Sequence, residues 1–151
     1  MTELDKQLAE IAPDGNLAAV KELLARGANL NAVNEEGETG FTRAVMFSRD
    51  LDYLDALIQL GANPDVPASQ GGTPLTLAVM GNNFLLVRIL LEAGANPNTL
   101  AFLEDSPQTA LDTAYGDYCA QDKKSEEMNL DAIVQLLIEH GAKCRHELIK
   151  K

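Results

Sequence analysis

No stretch of the 151 residues is apolar over the roughly 18–20 positions that a membrane-spanning helix needs. A helical membrane protein is thereby excluded, and a hydrophobic content of 46% is ordinary for a soluble globular domain. Cysteine is nearly missing. Cys119 and Cys144 lack CxxC spacing, so they read as two reduced thiols of a cytosolic protein. A disulfide stays open only if the end of the chain folds one onto the other. The opening Met1-Thr2-Glu3-Leu4-Asp5-Lys6 lacks a basic start followed by an apolar core, so no secretory signal is expected there.

Positive charge is scarce as well. Lys and Arg number 12 against 23 Asp and Glu, a net charge of −11. The deficit is uneven, because Lys143 to Lys151 carry +3 and leave −14 on the rest. Such a surface repels DNA, RNA and anionic membranes, which excludes them as partners. Two readings remain, a basic protein partner or solubility alone. The basic end reads as a solvated tail or as a weak electrostatic contact.

The patterns of catalysis and ligand binding are missing too. No Ser lies in a Gly-x-Ser-x-Gly setting, no His pair has metal spacing, and the EF-hand pattern is absent. Gly71-Gly72 lacks the Gly-Lys-Ser/Thr ending of a phosphate loop. Asp112, Asp117 and Asp122 recur every five residues, a spacing that does not line one helix face. His140 precedes Gly141 at an expected helix end, where a cation suits the last carbonyls. No enzymatic activity, no catalytic residue, no cofactor and no metal are therefore expected.

What is present is a repeat. Gly27-Ala28, Gly61-Ala62, Gly94-Ala95 and Gly141-Ala142 stand 34, 33 and 47 residues apart. Leu23, Leu57, Leu90 and Leu137 sit four positions before the glycines, and Leu24, Ile58, Leu91 and Ile138 sit three before. Val20, Leu54, Val87 and Val134 sit seven before. These offsets lie on one face of a helix, and a Gly at its end supplies the left-handed stop. A helix that buries one face every 33 residues or so implies stacking, because one unit has nothing to bury it against. Upstream of three of these helices lie Thr39-Gly40-Phe41-Thr42-Arg43-Ala44, Thr73-Pro74-Leu75-Thr76-Leu77-Ala78 and Thr109-Ala110-Leu111-Asp112-Thr113-Ala114. Thr suits a helix N-cap and Pro the first turn, so each unit reads as turn, short helix, second helix, stop.

This arrangement is similar to the ankyrin repeat, whose signature begins T-P-L-H-x-A. The resemblance covers nearly the whole chain. It implies an all-α solenoid of stacked helix-turn-helix units with hairpin-like loops, or fingers, that project from it. Approximate boundaries are 1–32, 33–66, 67–99 and 100–145, in one domain, followed by a short basic tail at 146–151. The His of the signature is replaced by Thr42, Thr76 and Asp112, which can tie neighbouring loops only in part. Gly40 stands where Pro is usual, at a cost in helix propensity. No Thr-Pro-Leu opening precedes the first unit, whose Glu3, Lys6, Gln7 and Glu10 suit a polar cap. The fourth unit departs from the pattern: its finger is three residues longer, and about eleven more lie within 115–129.

The resemblance further implies a non-enzymatic protein-protein interaction module, an acidic adaptor or regulator. It would be cytoplasmic and monomeric on its own, with a partner bearing a basic surface. Candidate partner-binding residues follow from positions in the repeat. Glu35, Glu36 and Glu38 crowd the tip of the first finger, as a solvated turn or as a recognition tip for Lys and Arg. Met46 and Phe47 fall where the family exposes variable side chains on its concave groove, although one of the two can instead pack on the next unit. Met80 repeats the position of Met46, and Gly81 that of Phe47. Gln70 lies on the second finger. Phe102, in an apolar loop cluster, either contacts a partner or folds back onto the stack. Asp117 and Tyr118 extend the surface into the fourth-unit insertion. The alternative is a dedicated inhibitor, such as an immunity protein that blocks a basic nuclease toxin, its carboxylates mimicking nucleic acid.

Overall fold

The structure is a computed structural model that describes residues 1–66, 68, 71–103, 106–116 and 128–149. Four helix pairs follow one another: α1 (Glu3–Ile11) with α2 (Leu17–Ala25), α3 (Gly40–Phe47) with α4 (Leu51–Gln59), α5 (Pro74–Met80) with α6 (Phe84–Glu92), and α7 (Ala110–Tyr115) with α8 (Met128–Glu139). A 3-10 turn, Ala12–Asp14, follows α1, and a short helix, α9 (Arg145–Ile149), follows the fourth pair. First helices pack on first helices and second on second along the whole series, so the pairs pile up in register as a solenoid.

Each first helix opens on a reciprocal capping box. The Thr hydroxyl accepts the N–H three residues on, and the side chain at that residue accepts the N–H of the Thr. Thr39 pairs with Thr42 in this way, Thr73 with Thr76, and Thr109 with Asp112. Thr2 and Asp5 form the same box at α1. The first unit has no Thr-Pro-Leu, as expected, yet Thr2-Glu3-Leu4-Asp5, with Glu in the place of Pro, makes the same box. The second helices of the first three units are capped by Asn16, Asp50 and Asn83. All four second helices end alike. The N–H groups of Ala28, Ala62, Ala95 and Ala142 reach back to the carbonyls of Leu23, Leu57, Leu90 and Leu137. The glycine before each alanine is left-handed, at φ 98° for Gly27, a conformation in which a side chain is strained.

The core runs the length of the stack, from Leu8 and Val20 through Phe41, Leu54, Leu57, Leu75, Val87 and Leu90 to Ile133 and Leu137, all fully buried. Its first interface leaves no room at Gly40. A Cβ on Gly40 would lie 2.8 Å from Leu8 Cδ2 and 3.3 Å from Ala12 Cβ, so Gly stands there because α3 sits hard against α1 and the 3-10 turn. Tyr53 pins the same turn, its hydroxyl donating to the Ala12 carbonyl at 2.6 Å. Burial, with Asp14 adding to it, pushes that hydroxyl up to about 12, so it stays a donor at neutral pH.

The fingers are stitched together by side-chain oxygens that capture the N–H two residues beyond each Gly stop. Asp5 Oδ1 accepts from Asn29 at 2.7 Å, Asn31 Oδ1 from Asn63 at 2.7 Å, Asp65 Oδ1 from Asn96 at 2.9 Å and Asn98 Oδ1 from Lys143 at 2.8 Å. Asn31 and Asn98 also donate, to the carbonyls of Gly61 and Gly141. In the second and third units the loop-tying expected of the signature His falls to residues in the fingers, because the Thr42 and Thr76 hydroxyls bond back within their own boxes, whereas Asp5 and Asp112 at the same position reach Asn29 and Arg145.

In the fourth unit the longer finger forms a two-stranded antiparallel hairpin. β1 (Ala101–Leu103) pairs with β2 (Ser106–Gln108), with Phe102 opposite Pro107. Arg145, just before the basic tail, is anchored. The Arg145 N–H donates to Asp112 Oδ2 at 2.9 Å, and its guanidinium donates to Ser106 Oγ and the Pro107 carbonyl, both at 3.2 Å. Among the described residues no helix is long and apolar enough to cross a membrane.

Candidate protein-binding groove

Where α3 and α5 end, the chain turns sharply, through Ser48-Arg49 in the second unit and Gly81-Asn82-Asn83 in the third. Asn82 takes the left-handed conformation, at φ 49°, which Asn tolerates better than most residues. An open groove of about 830 Å³ lies between these two turns. Val45, Leu77 and Ala78 contribute apolar surface to it, and Met46, half-buried, adds its thioether. Phe47 and Leu85 line it while 61% and 45% exposed. Gly81 lines it too, at the repeat position of Phe47, and adds no side chain.

Arg43 secures one wall. Its Nε donates to the Ala9 carbonyl and its Nη1 to Glu38 Oε2, each at 3.1 Å, and its guanidinium carbon lies 5.9 Å from the centroid of the Phe47 ring. A cation over an aromatic face contributes only about 0.5–1 kcal/mol at an exposed site. The two hydrogen bonds fix the guanidinium, and the ring rests against a fixed neighbour. Among the described residues Arg49 is the single charged one on the lining of the groove.

The first finger is arranged differently from its expected form. Asn34 accepts the N–H groups of Glu36 and Glu38 on its side-chain oxygen and closes the turn with its own N–H on the Glu38 carbonyl. Glu35 and Glu36 are exposed, but Glu38 is 5% exposed and paired with Arg43, so it is not a tip acid. The sequence places the three carboxylates together, yet the turn directs the third inward, toward a cation held by the first unit. Glu35 and Glu36 line a separate recess of about 300 Å³ with Lys6, Glu10 and Arg43. The acids thus border the first unit, away from the apolar groove.

Of the other candidate residues, Met80 is 61% exposed but does not line the groove. Phe102 has its backbone in β1, and its side chain lies outside the described residues, as do Gln70, Asp117, Tyr118 and Cys119. Leu85 on the groove lining and Arg43 behind the Phe47 ring were among the residues missed. Leu85 belongs to an unbroken apolar run, Phe84-Leu85-Leu86-Val87, in which the 3–4 spacing cannot bury every member, and that excess was a readable signal. Arg43 gave no such signal, since Ala9 lies 34 residues away in sequence. His140 sits at its helix end with Nδ1 2.9 Å from the Leu136 carbonyl, a structural contact. Among the described residues no three His, Cys, Asp or Glu side chains are grouped to hold a metal.

Comparison with known proteins agrees with this architecture. The family described as ankyrin repeats in three copies matches residues 8–101. The chain is 28% identical over 127 residues to the bovine (Bos taurus) "Inactive serine/threonine-protein kinase TEX14", covering 78% of this chain and 8% of that protein. It is 36% identical over 102 residues to "Probable E3 ubiquitin-protein ligase XBOS34" from Oryza sativa subsp. japonica, covering 66% of this chain and 19% of that one. The chain therefore spans a small part of the length of these relatives. The matched span includes the first three Gly-Ala stops, both Thr-led boxes of the second and third units, and the two turns that frame the groove. This chain belongs to the ankyrin-repeat family.

Proposed function

We propose that the chain is a protein-protein interaction module without catalytic activity, an adaptor or regulator whose partner docks in the groove between the second and third units. The observation that supports this most directly is Phe47, a ring 61% exposed beside an apolar cleft and backed by an anchored arginine. Exposed aromatic side chains next to apolar clefts are the usual anchors of an interface. The relatives carry their similarity to this chain in a small fraction of a longer protein, as expected of a recruiting module. The inhibitor reading has less support. A nucleic-acid mimic needs carboxylates around its apolar centre, whereas this groove is lined by Arg49, and Glu38 is engaged with Arg43.

Capture of binding proteins with the immobilised chain tests the reading. Phe47→Ala and Met46→Asp are expected to weaken capture at least about tenfold, the effect of losing one interface hot spot. Met80→Asp, outside the groove, should leave it intact. Circular dichroism shows whether the variants remain folded. Unchanged capture by folded Phe47→Ala would move the site away from this groove, to the hairpin of the fourth unit.

A further inference from the structure

Resting on that reading, we infer that the segment occupying the groove combines a bulky apolar side chain with a carboxylate that pairs with Arg49. The overall charge of −11 points toward a basic partner, but the groove itself has the opposite sign. Arg49 is exposed on its lining, and among the described residues no acidic side chain shares that lining and no ion pair forms at Arg49. The nearby Arg43 differs, because Glu38 already neutralises it. The first turn of α6 adds to the field, since it contributes to the lining and contains no acidic residue to offset the positive end of the helix. A basic segment laid here would set its charge against Arg49 without a compensating carboxylate. An acidic one gains a guanidinium able to hold a carboxylate through two hydrogen bonds. The apolar floor of Leu77 and Ala78, opened by Gly81, receives the anchor between Phe47 and Leu85.

Selection of a phage-displayed library of random linear peptides against the immobilised full chain tests this. Enriched peptides are expected to carry Leu, Met or Phe with Asp or Glu within a few positions. Such a peptide, synthesised, should bind Arg49→Ala about tenfold more weakly and Arg49→Glu more weakly still. Arg49 is exposed, so both variants are expected to fold. Enrichment of Lys- or Arg-flanked peptides, or indifference to Arg49→Glu with continued dependence on Phe47, overturns the inference and leaves the groove reading standing. No enrichment, or enriched peptides indifferent to Phe47→Ala, overturns both. Sedimentation showing self-association abolished by Phe47→Ala would make a second copy the occupant and remove the acidic peptide.

Discussion

The first unit and the units behind it hold the same backbone group by different chemistry. Behind each of the later Gly stops the captured N–H is held by a finger of the preceding unit, through Asn31, Asp65 or Asn98. Behind the first stop the captor is instead Asp5, on the first turn of α1 and already half of a capping box. One carboxylate accepts from Thr2 through Oδ2 at 2.6 Å and from Asn29 through Oδ1 at 2.7 Å. The same stitch is made by finger side chains in the later units and by one buried, ionisable helix residue in the first. The first unit should accordingly be the more fragile to substitution, with a rung whose titration is coupled to a cap.

Asp5→Ala should have the largest effect. It removes the box acceptor and the rung together, and leaves two N–H groups to find water at a buried position. A loss of about 2–3 kcal/mol follows from a lost cap and a lost hydrogen bond to a charged group. Asn31→Ala, at an exposed rung, should cost about 1 kcal/mol. Urea denaturation followed by circular dichroism measures both, and equal losses would erase the distinction between the first unit and the later ones. Acid separates them as well. The N–H groups of Asn29 and Thr2, in that order, hold the Asp5 carboxyl below its ordinary value. A group depressed in the folded state contributes its stability above the unfolded pKa and loses it as pH falls through the folded one. The contribution should therefore be complete at neutral pH and decline below about pH 4, the ordinary range for Asp. Asp5→Asn should flatten that part of the stability profile, whereas Asn31→Ala should leave its shape unchanged.

The interfaces differ in the same way as the rungs. Between the first and second units Gly40 meets Leu8 and Ala12, while the equivalent positions of the next two units hold Pro74 and Ala110, both buried. In an isolated helix Gly40→Ala would be favourable by roughly 1 kcal/mol. Here the added methyl lands 2.8 Å from Leu8 Cδ2, and the overpacking should reverse the sign, for a net loss of about 1 kcal/mol. A more stable Gly40→Ala would show that the Leu8 side chain yields freely and that the first interface is no tighter than the second.

The periodic parts of this molecule were legible and the aperiodic parts were not. Leu54, Val87 and Leu90 lie on the buried face that their 3–4 spacing requires, and the Gly-Ala stops follow from the chemistry of a left-handed residue. The Thr boxes of the later units could be read, but the first could not, because Glu3 and Asp5 share no letters with the signature. The finger rungs carry no period. Asn31 pairs with Asn63 and Asp65 with Asn96 across loops whose polar residues look alike in sequence, and only the stacking brings them together. Glu38 was misjudged for the same reason: a charge run reads as solvated until its cation is found, and Arg43 is oriented by a carbonyl from another unit. The repeat offsets drew attention to Met46 and Phe47, but the offset shared by Met46 and Met80 says nothing of which turn opens into a groove.

The smallest effect tests the interior rungs against one another. Asn31 and Asn98 each make two bonds, accepting an N–H and donating to a glycine carbonyl, at 2.9 Å to Gly61 and 3.0 Å to Gly141. Asp65 occupies the corresponding place between the second and third fingers and, as a carboxylate, accepts from Asn96 but has no proton to give. Asp65→Asn supplies that donor to the Gly94 carbonyl and removes one negative charge from a chain of net −11. Against this, the bond to Asn96 loses its charge assistance. At an exposed rung the two nearly balance, and the gained bond with relieved repulsion should leave the variant about 0.5 kcal/mol more stable at neutral pH. Asn31→Asp runs the exchange in reverse and should lose a similar amount. Paired urea midpoints at low and high salt separate the contributions: a gain that survives high salt belongs to the new hydrogen bond, and one that vanishes belongs to charge.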